Sequence, residues 1–261
     1  MSEPALLAVH DLGLRAGPKL LVDALSLRIE AGQFWAVVGA NGVGKTTLLG
    51  ALAGLGAPQR GRIELLGRAL ASHRSAEAAR LRGFLPQQVD ALYGMSVLQA
   101  VLLGRHPHVG GRGWRLWEDD ADVALARTAL AQVDLAGFET RAMHSLSGGE
   151  RQRTAIACVL VQAPRLFLLD EPLAHLDLRH QHAVMRLLRE LADRGDRALV
   201  ASVHDLSMAA RFATHALIMG GPAGCVAGPA GEVLTEATLS AAFGHPVRRL
   251  ADGETVALVG R

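Results

Sequence analysis

Lysine is nearly missing from this chain of 261 residues: Lys19 and Lys45 are the only two, and every other Lys/Arg position is arginine. Cysteine is as scarce. Cys158 and Cys225 cannot build a disulfide framework, so a reducing, cytosolic setting is expected. Half of the residues are hydrophobic, yet no apolar run approaches the ~18–20 residues that span a bilayer. Met1-Ser2-Glu3-Pro4 has no basic segment ahead of an apolar one, so no secretory signal is expected. Excess charge is missing too: a formal +2 argues for neither a nucleic-acid partner nor a polybasic membrane anchor. Without low-complexity tracts, repeats or long linkers, the length suits one domain, or a core with small subdomains, with ample core-forming material.

What is present centres on Gly39-Ala40-Asn41-Gly42-Val43-Gly44-Lys45-Thr46-Thr47. It fits the phosphate-loop pattern of Gly, four residues, then Gly-Lys-Ser/Thr. Glycines let the backbone curl so that successive N–H groups point at a phosphate, and the next helix adds its positive end. Gly39, Asn41, Gly42, Gly44, Lys45, Thr46 and Thr47 are therefore the candidate nucleotide contacts. Lys45 is expected at the β- and γ-phosphates and the Thr46 hydroxyl on Mg²⁺. A compact ammonium suits the space between phosphates where a planar guanidinium does not fit. The bland alternative is a chance glycine-rich turn. The apolar run Phe34-Trp35-Ala36-Val37-Val38 before the loop and a helical pattern after it weigh against that.

Residues 6–30 read as short strands, and 24–30 alternate apolar with polar as a half-exposed antiparallel strand does. Residues 61–67 look like another strand of that sheet. Residues 75–82 suit a helix leading into Phe84-Leu85-Pro86-Gln87-Gln88, and 97–133 are helical with breaks at 104–108 and 110–113. After Leu146-Ser147-Gly148-Gly149-Glu150 comes a helix with Ala155, Ile156, Val159 and Leu160 on one face. Residues 165–172 form a wholly apolar strand ending in Asp170-Glu171, as a central parallel strand would. A helix at 179–194 and a second apolar strand at 198–203 deliver His204. Ligands in open α/β sheets sit at the carboxyl ends of strands, so Asp170, Glu171 and His204 are expected to converge on the phosphate loop. The last forty residues read as glycine-rich turns, a helix at 236–243 and a last short strand. His106/His108 and His180/His182 read as turn and surface histidines, because residues two apart do not share a helix face.

The phosphate loop, Gln87, the Leu146–Glu150 segment, Asp170-Glu171 and His204, in that order, resemble the ATP-binding subunits of ATP-binding cassette (ABC) transporters over nearly the whole chain. The Ser-Gly-Gly segment discriminates, since a phosphate loop alone also occurs in kinases and GTPases. The resemblance implies a single α/β domain: a RecA-like P-loop NTPase core, an antiparallel β subdomain, an inserted helical subdomain at about 88–160 and a C-terminal extension at about 221–261. It implies ATP and Mg²⁺ as ligands, and a head-to-tail homodimer with two ATP between the copies. Asp170 would hold Mg²⁺ through water, with Thr46 and Gln87 beside it. Glu171 would polarise the attacking water and His204 would bond the γ-phosphate. Gln87 would also link the site to the membrane subunits. Ser147, Gly148 and Gly149 would face the other copy's ATP, and Asp177 would cross the interface. His175 stands where the family more often has a small residue. Partners implied are two integral-membrane permease subunits and, indirectly, a substrate-binding protein, with no nucleic acid. The place implied is the inner face of the cell membrane.

One departure stands out. The family stacks adenine on an aromatic residue where this chain has Ala16, within Leu14-Arg15-Ala16-Gly17-Pro18. Stacking contributes about 1–3 kcal/mol per base in nucleic-acid systems, so weak discrimination between ATP and GTP is expected. Residues 101–108, 176–181 and 233–244 resemble importers of metal chelates. Within that group, Asp90-Ala91-Leu92-Tyr93 and Trp117-Glu118-Asp119-Asp120 resemble the cobalamin-type members more than those for ferric siderophore or haem. A soluble cassette acting on ribosomes or DNA usually carries two cassettes or a coiled-coil insertion, and this chain has neither. An exporter fits the segment near His106 poorly, and a catalytically dead subunit would not keep Lys45, Gln87, Asp170, Glu171 and His204 together.

Overall fold

The computed structural model describes residues 5–88, 94–108, 120–221, 224–252 and 255–260. Residues 1–4, 90–93, 110–113 and 117–119, which entered the sequence reading, lie outside them. The chain opens with a hairpin of β1 (Leu7–Ala16) and β2 (Lys19–Ile29). The expected short strands are two long ones. Register shifts between Val9 and Leu12 and near Leu14 absorb the breaks in alternation, with Asp11 and Ala24 at positive φ. β3 (Phe34–Val38) then starts a second sheet, and the phosphate loop joins it to α1 (Lys45–Leu52). The chain returns to the first sheet as β4 (Arg60–Leu65) and β5 (Arg68–Ala69), then passes through α2 (Ser75–Leu81) into β6 (Arg82–Leu85).

Between β6 and the next strand lie α3 (Val97–Leu102), α4 (Asp120–Gln132) and α5 (Gly148–Gln162). Strands and helices then alternate: β7 (Leu166–Leu169), α6 (Leu178–Asp193), β8 (Ala198–Ser202), α7 (Leu206–Phe212) and β9 (His215–Met219). The tail holds β10 (Cys225–Pro229), α8 (Ala230–Val233), α9 (Glu236–Phe243) and a hairpin of β11 (Val247–Asp252) and β12 (Thr255–Gly260). So the expected last short strand is a hairpin, and the stretch read as turns contains an edge strand. Gly228 and Pro229 punctuate β10 like a turn, and an edge position tolerates both.

The first sheet runs β2-β1-β4-β5, antiparallel; the second runs β10-β9-β3-β8-β7-β6, parallel except at β10. Each central strand is buried on both faces. Phe34, Ala36 and Val38 enter a core shared with the helices, while Trp35 and Val37 enter a core shared with α1 and the antiparallel sheet. The two sheets are thus clamped on either side of α1, and the carboxyl ends of β3, β7 and β8 open onto the loop that precedes it. Among the described residues no helix is long and apolar enough to cross a membrane.

Candidate functional site

A pocket of about 430 Å³ lies at those strand ends. The phosphate loop supplies Asn41, Gly42, Gly44, Lys45, Thr46 and Thr47. Gln87, Glu171 and His204 enter from the sheet, and Ala16, Lys19 and Leu21 from the β1–β2 hairpin. The loop can take its path only with glycine at two positions. Gly39 has φ +153°, and a Cβ there would stand 2.5 Å from the Met219 carbonyl oxygen. Gly44 caps α1 at φ +114°, against Leu21. Lys45 is only 6 % exposed. Its Nζ donates to the Gly39 and Ala40 carbonyls at 2.8 and 3.2 Å. Burial lowers its pKa below the ordinary lysine value, while the carboxylates of Glu171 and Asp170 pull it back up.

Behind the pocket the Asp-Glu pair is wired through a residue that the sequence reading did not single out. Ser202, at the end of β8, donates its hydroxyl to Asp170 Oδ1 at 2.8 Å and accepts the Glu171 N–H at 2.7 Å. The Glu171 carbonyl accepts from the Gln152 side chain at 3.1 Å. Glu171 itself has φ +50°, a left-handed conformation that costs a non-glycine residue about 1–2 kcal/mol. Its carboxylate oxygen lies 2.9 Å from His204 Nε2. Ser202→Ala should therefore lower kcat about tenfold and destabilise the fold by about 1–3 kcal/mol, because a buried carboxylate loses its donor. Turnover and thermal midpoint together test this. A variant with wild-type kcat would show that Ser202 does not position the pair.

Asp170 is fully buried, and its Oδ2 has no hydrogen-bond partner among the described residues. An orphaned buried carboxylate oxygen calls for a ligand. With the Thr46 hydroxyl and the Gln87 amide at the pocket, the donors are all oxygens, as a hard cation such as Mg²⁺ prefers. These residues fit that ion.

Ser147, Gly148, Gly149 and Asp177 do not line this pocket. Ser147, exposed, caps α5 in a reciprocal capping box with Glu150, so the backbone donors of the first turn are ordered. His175, at φ +62°, packs over both glycines: a Cβ on Gly148 would meet its ring-bearing carbon at 3.4 Å, and one on Gly149 its carbonyl oxygen at 3.0 Å. Asp177 caps α6, accepting the His180 N–H at 2.9 Å and bonding its Nδ1 at 2.8 Å. The backbone bond first, then the imidazole, hold the Asp177 carboxyl below its usual pKa. His180 Nε2 also lies 3.6 Å from Asp134 Oδ2. His180, expected as a bland surface residue, is thus the partner of Asp177. The signal was its place three residues beyond the aspartate. For Ser202 the signal was a lone hydroxyl ending an apolar strand. The sequence reading also passed over Lys19 as a site residue, although it lines the pocket.

A phosphate cradle at the head of a parallel sheet, with Glu171 lining the pocket and Asp170 buried beside it, defines a nucleoside-triphosphate hydrolase. A family model described as ABC transporter matches residues 22–174. The hemin import ATP-binding protein HmuV of Streptomyces coelicolor is 40 % identical over 254 residues, covering 97 % of this chain and 89 % of that protein. The cobalamin import ATP-binding protein BtuD of Halobacterium salinarum is 40 % identical over 228 residues, covering 87 % of this chain and 56 % of that protein. A metal-chelate type ABC transporter solved in an inward-facing conformation aligns at 29 % identity with a TM-score of 0.84, covering 98 % of both chains. The chain belongs to the ABC transporter family and is an ATPase.

Proposed function

We propose that this chain is the motor subunit of an importer: two copies close head to tail around two ATP and drive a metal chelate through two permease subunits. The observation that carries the reading is the separation within one chain of the phosphate pocket from the ordered N-terminus of α5. A second copy would bring Ser147, Gly148 and Gly149 to the γ-phosphate and Asp177 across the interface. Lys45 and the loop amides hold the β- and γ-phosphates. Glu171 polarises a water and takes its proton as the oxygen attacks the γ-phosphorus; the bond to the β–γ bridging oxygen breaks, leaving ADP and phosphate. His204, bonded to Glu171, holds the γ-phosphate and the water in line. When bound, Mg²⁺ held by Thr46, Gln87 and Asp170 supplies positive charge against the phosphate oxygens. Gln87 reports that state to the membrane subunits. Differential binding does the work, because ATP stabilises the closed pair more than ADP does.

The helical segment at about 88–160 serves in this reading as the arm toward the permease, and the extension at about 221–261 completes the same domain. The chain then sits peripherally on the inner membrane face, served indirectly by a substrate-binding protein. Cobalamin is the cargo that Asp90–Tyr93 and Trp117–Asp120 favoured, whereas the fuller match to a hemin import protein supports haem. ATPase stimulation in the reconstituted complex, with binding proteins loaded with cobalamin, hemin or a ferric siderophore, separates them. One cargo should stimulate turnover and the others should not. Isolation from membranes with no polytopic partner would overturn the transporter reading in favour of a soluble cassette.

A further inference from the structure

Both lysines of the chain line the same pocket, and among the described residues no arginine does. Lys45 sits inside it. Lys19 stands exposed on its rim, at the start of β2, three residues after Ala16. Its Nζ donates to the Gly42 carbonyl at 2.8 Å, which holds the ammonium directly over the phosphate loop. The hairpin therefore presents no ring at Ala16 but a cation one turn of chain away. We propose that Lys19 replaces base stacking with charge: it is a nucleotide-binding residue that grips the phosphate chain and leaves the base unread. The proposal rests on the nucleotide reading of the pocket and deepens it. A lysine suits the task because its point charge on a flexible stem swings from a backbone carbonyl to a phosphate oxygen without moving the backbone. Such a contact carries no information about adenine or guanine, so affinity becomes a property of the triphosphate.

The test is equilibrium binding to the full chain of ATP, GTP and inorganic tripolyphosphate, at low and high salt, for wild type, Lys19→Met and Lys19→Arg. Lys19→Met should lose about five- to tenfold in affinity for all three ligands alike and show a flatter salt dependence, as expected for one charge removed near a polyanion. Lys19→Arg should keep most of the affinity. Unchanged thermal midpoints show that the exposed substitution leaves the fold intact. A loss confined to one base would place the ammonium on the base and overturn the proposal. So would a loss with an unaltered salt dependence, which marks Lys19 as a tether of the Gly42 carbonyl and nothing more. Unchanged binding in Lys19→Met would also overturn it while leaving the nucleotide site standing. A wild-type chain that binds none of the three ligands removes the site itself.

Discussion

Glu171→Gln should cut ATP turnover by about a thousandfold or more, within the range lost with a general base, while ATP binding persists. The substitution keeps the shape of the side chain and removes only its capacity to take a proton. What fixes position 171 lies in the backbone: its N–H on Ser202 Oγ, its carbonyl on the Gln152 amide, and a φ of +50°. None of these depends on the carboxylate, so the variant should fold as wild type. A glutamine oxygen can still face His204 Nε2, where the carboxylate now lies at 2.9 Å. With the γ-phosphate uncleaved, the ligand that favours closure is never lost, and the closed pair should accumulate. Single-turnover hydrolysis and size-exclusion chromatography with ATP and Mg²⁺ measure both effects. Ordinary turnover in this variant would remove Glu171 as the catalytic carboxylate, and tight ATP binding without a dimer would remove the two-copy site.

The parts of the site legible in the sequence are those whose chemistry is local. The phosphate loop is nine consecutive residues between a strand and a helix, and the strand was placed at Phe34–Val38, where it lies. Asp170 and Glu171 were legible because a wholly apolar strand ended on two charges. The helix at Glu236–Phe243 was read to the residue, since Thr235 caps it and Gly244 ends it. What escaped depends on partners distant in sequence. Ser202 matters only because β8 lies beside β7, which brings it to a residue thirty-one positions earlier. His180 matters because Asp134 and Asp177 meet at its ring. Lys19 stands out in the sequence as one of two lysines, and only the fold brings it to Gly42. The tail misled because β10 carries Gly228 and Pro229 within an edge strand, where local rules read turns.

Lys45→Met should weaken ATP binding by about a hundredfold, a loss of about 3 kcal/mol. The ammonium is buried, held by the Gly39 and Ala40 carbonyls and backed by the carboxylates of Glu171 and Asp170. A charged hydrogen bond to phosphate contributes about 1.5–3 kcal/mol. Its removal also leaves two carboxylates facing an incoming polyanion with their nearest counter-charge gone. Lys45→Arg should fail nearly as badly, because the wider guanidinium does not fit where the lysine is 6 % exposed. The fold itself should tolerate Lys45→Met. Burial already disfavours the charged form, so methionine, with a similar stem and no charge to desolvate, should leave the thermal midpoint close to wild type. Titration with a fluorescent nucleotide reads the affinity; a value within about threefold of wild type would mean that the loop amides alone hold the phosphates. Combined with Glu171→Gln, the substitution separates the two halves of the proposed cycle. The single Glu171→Gln variant should trap a dimer on ATP, and the double variant should stay monomeric at the same ATP concentration, because closure depends on a γ-phosphate that Lys45 must first hold in place.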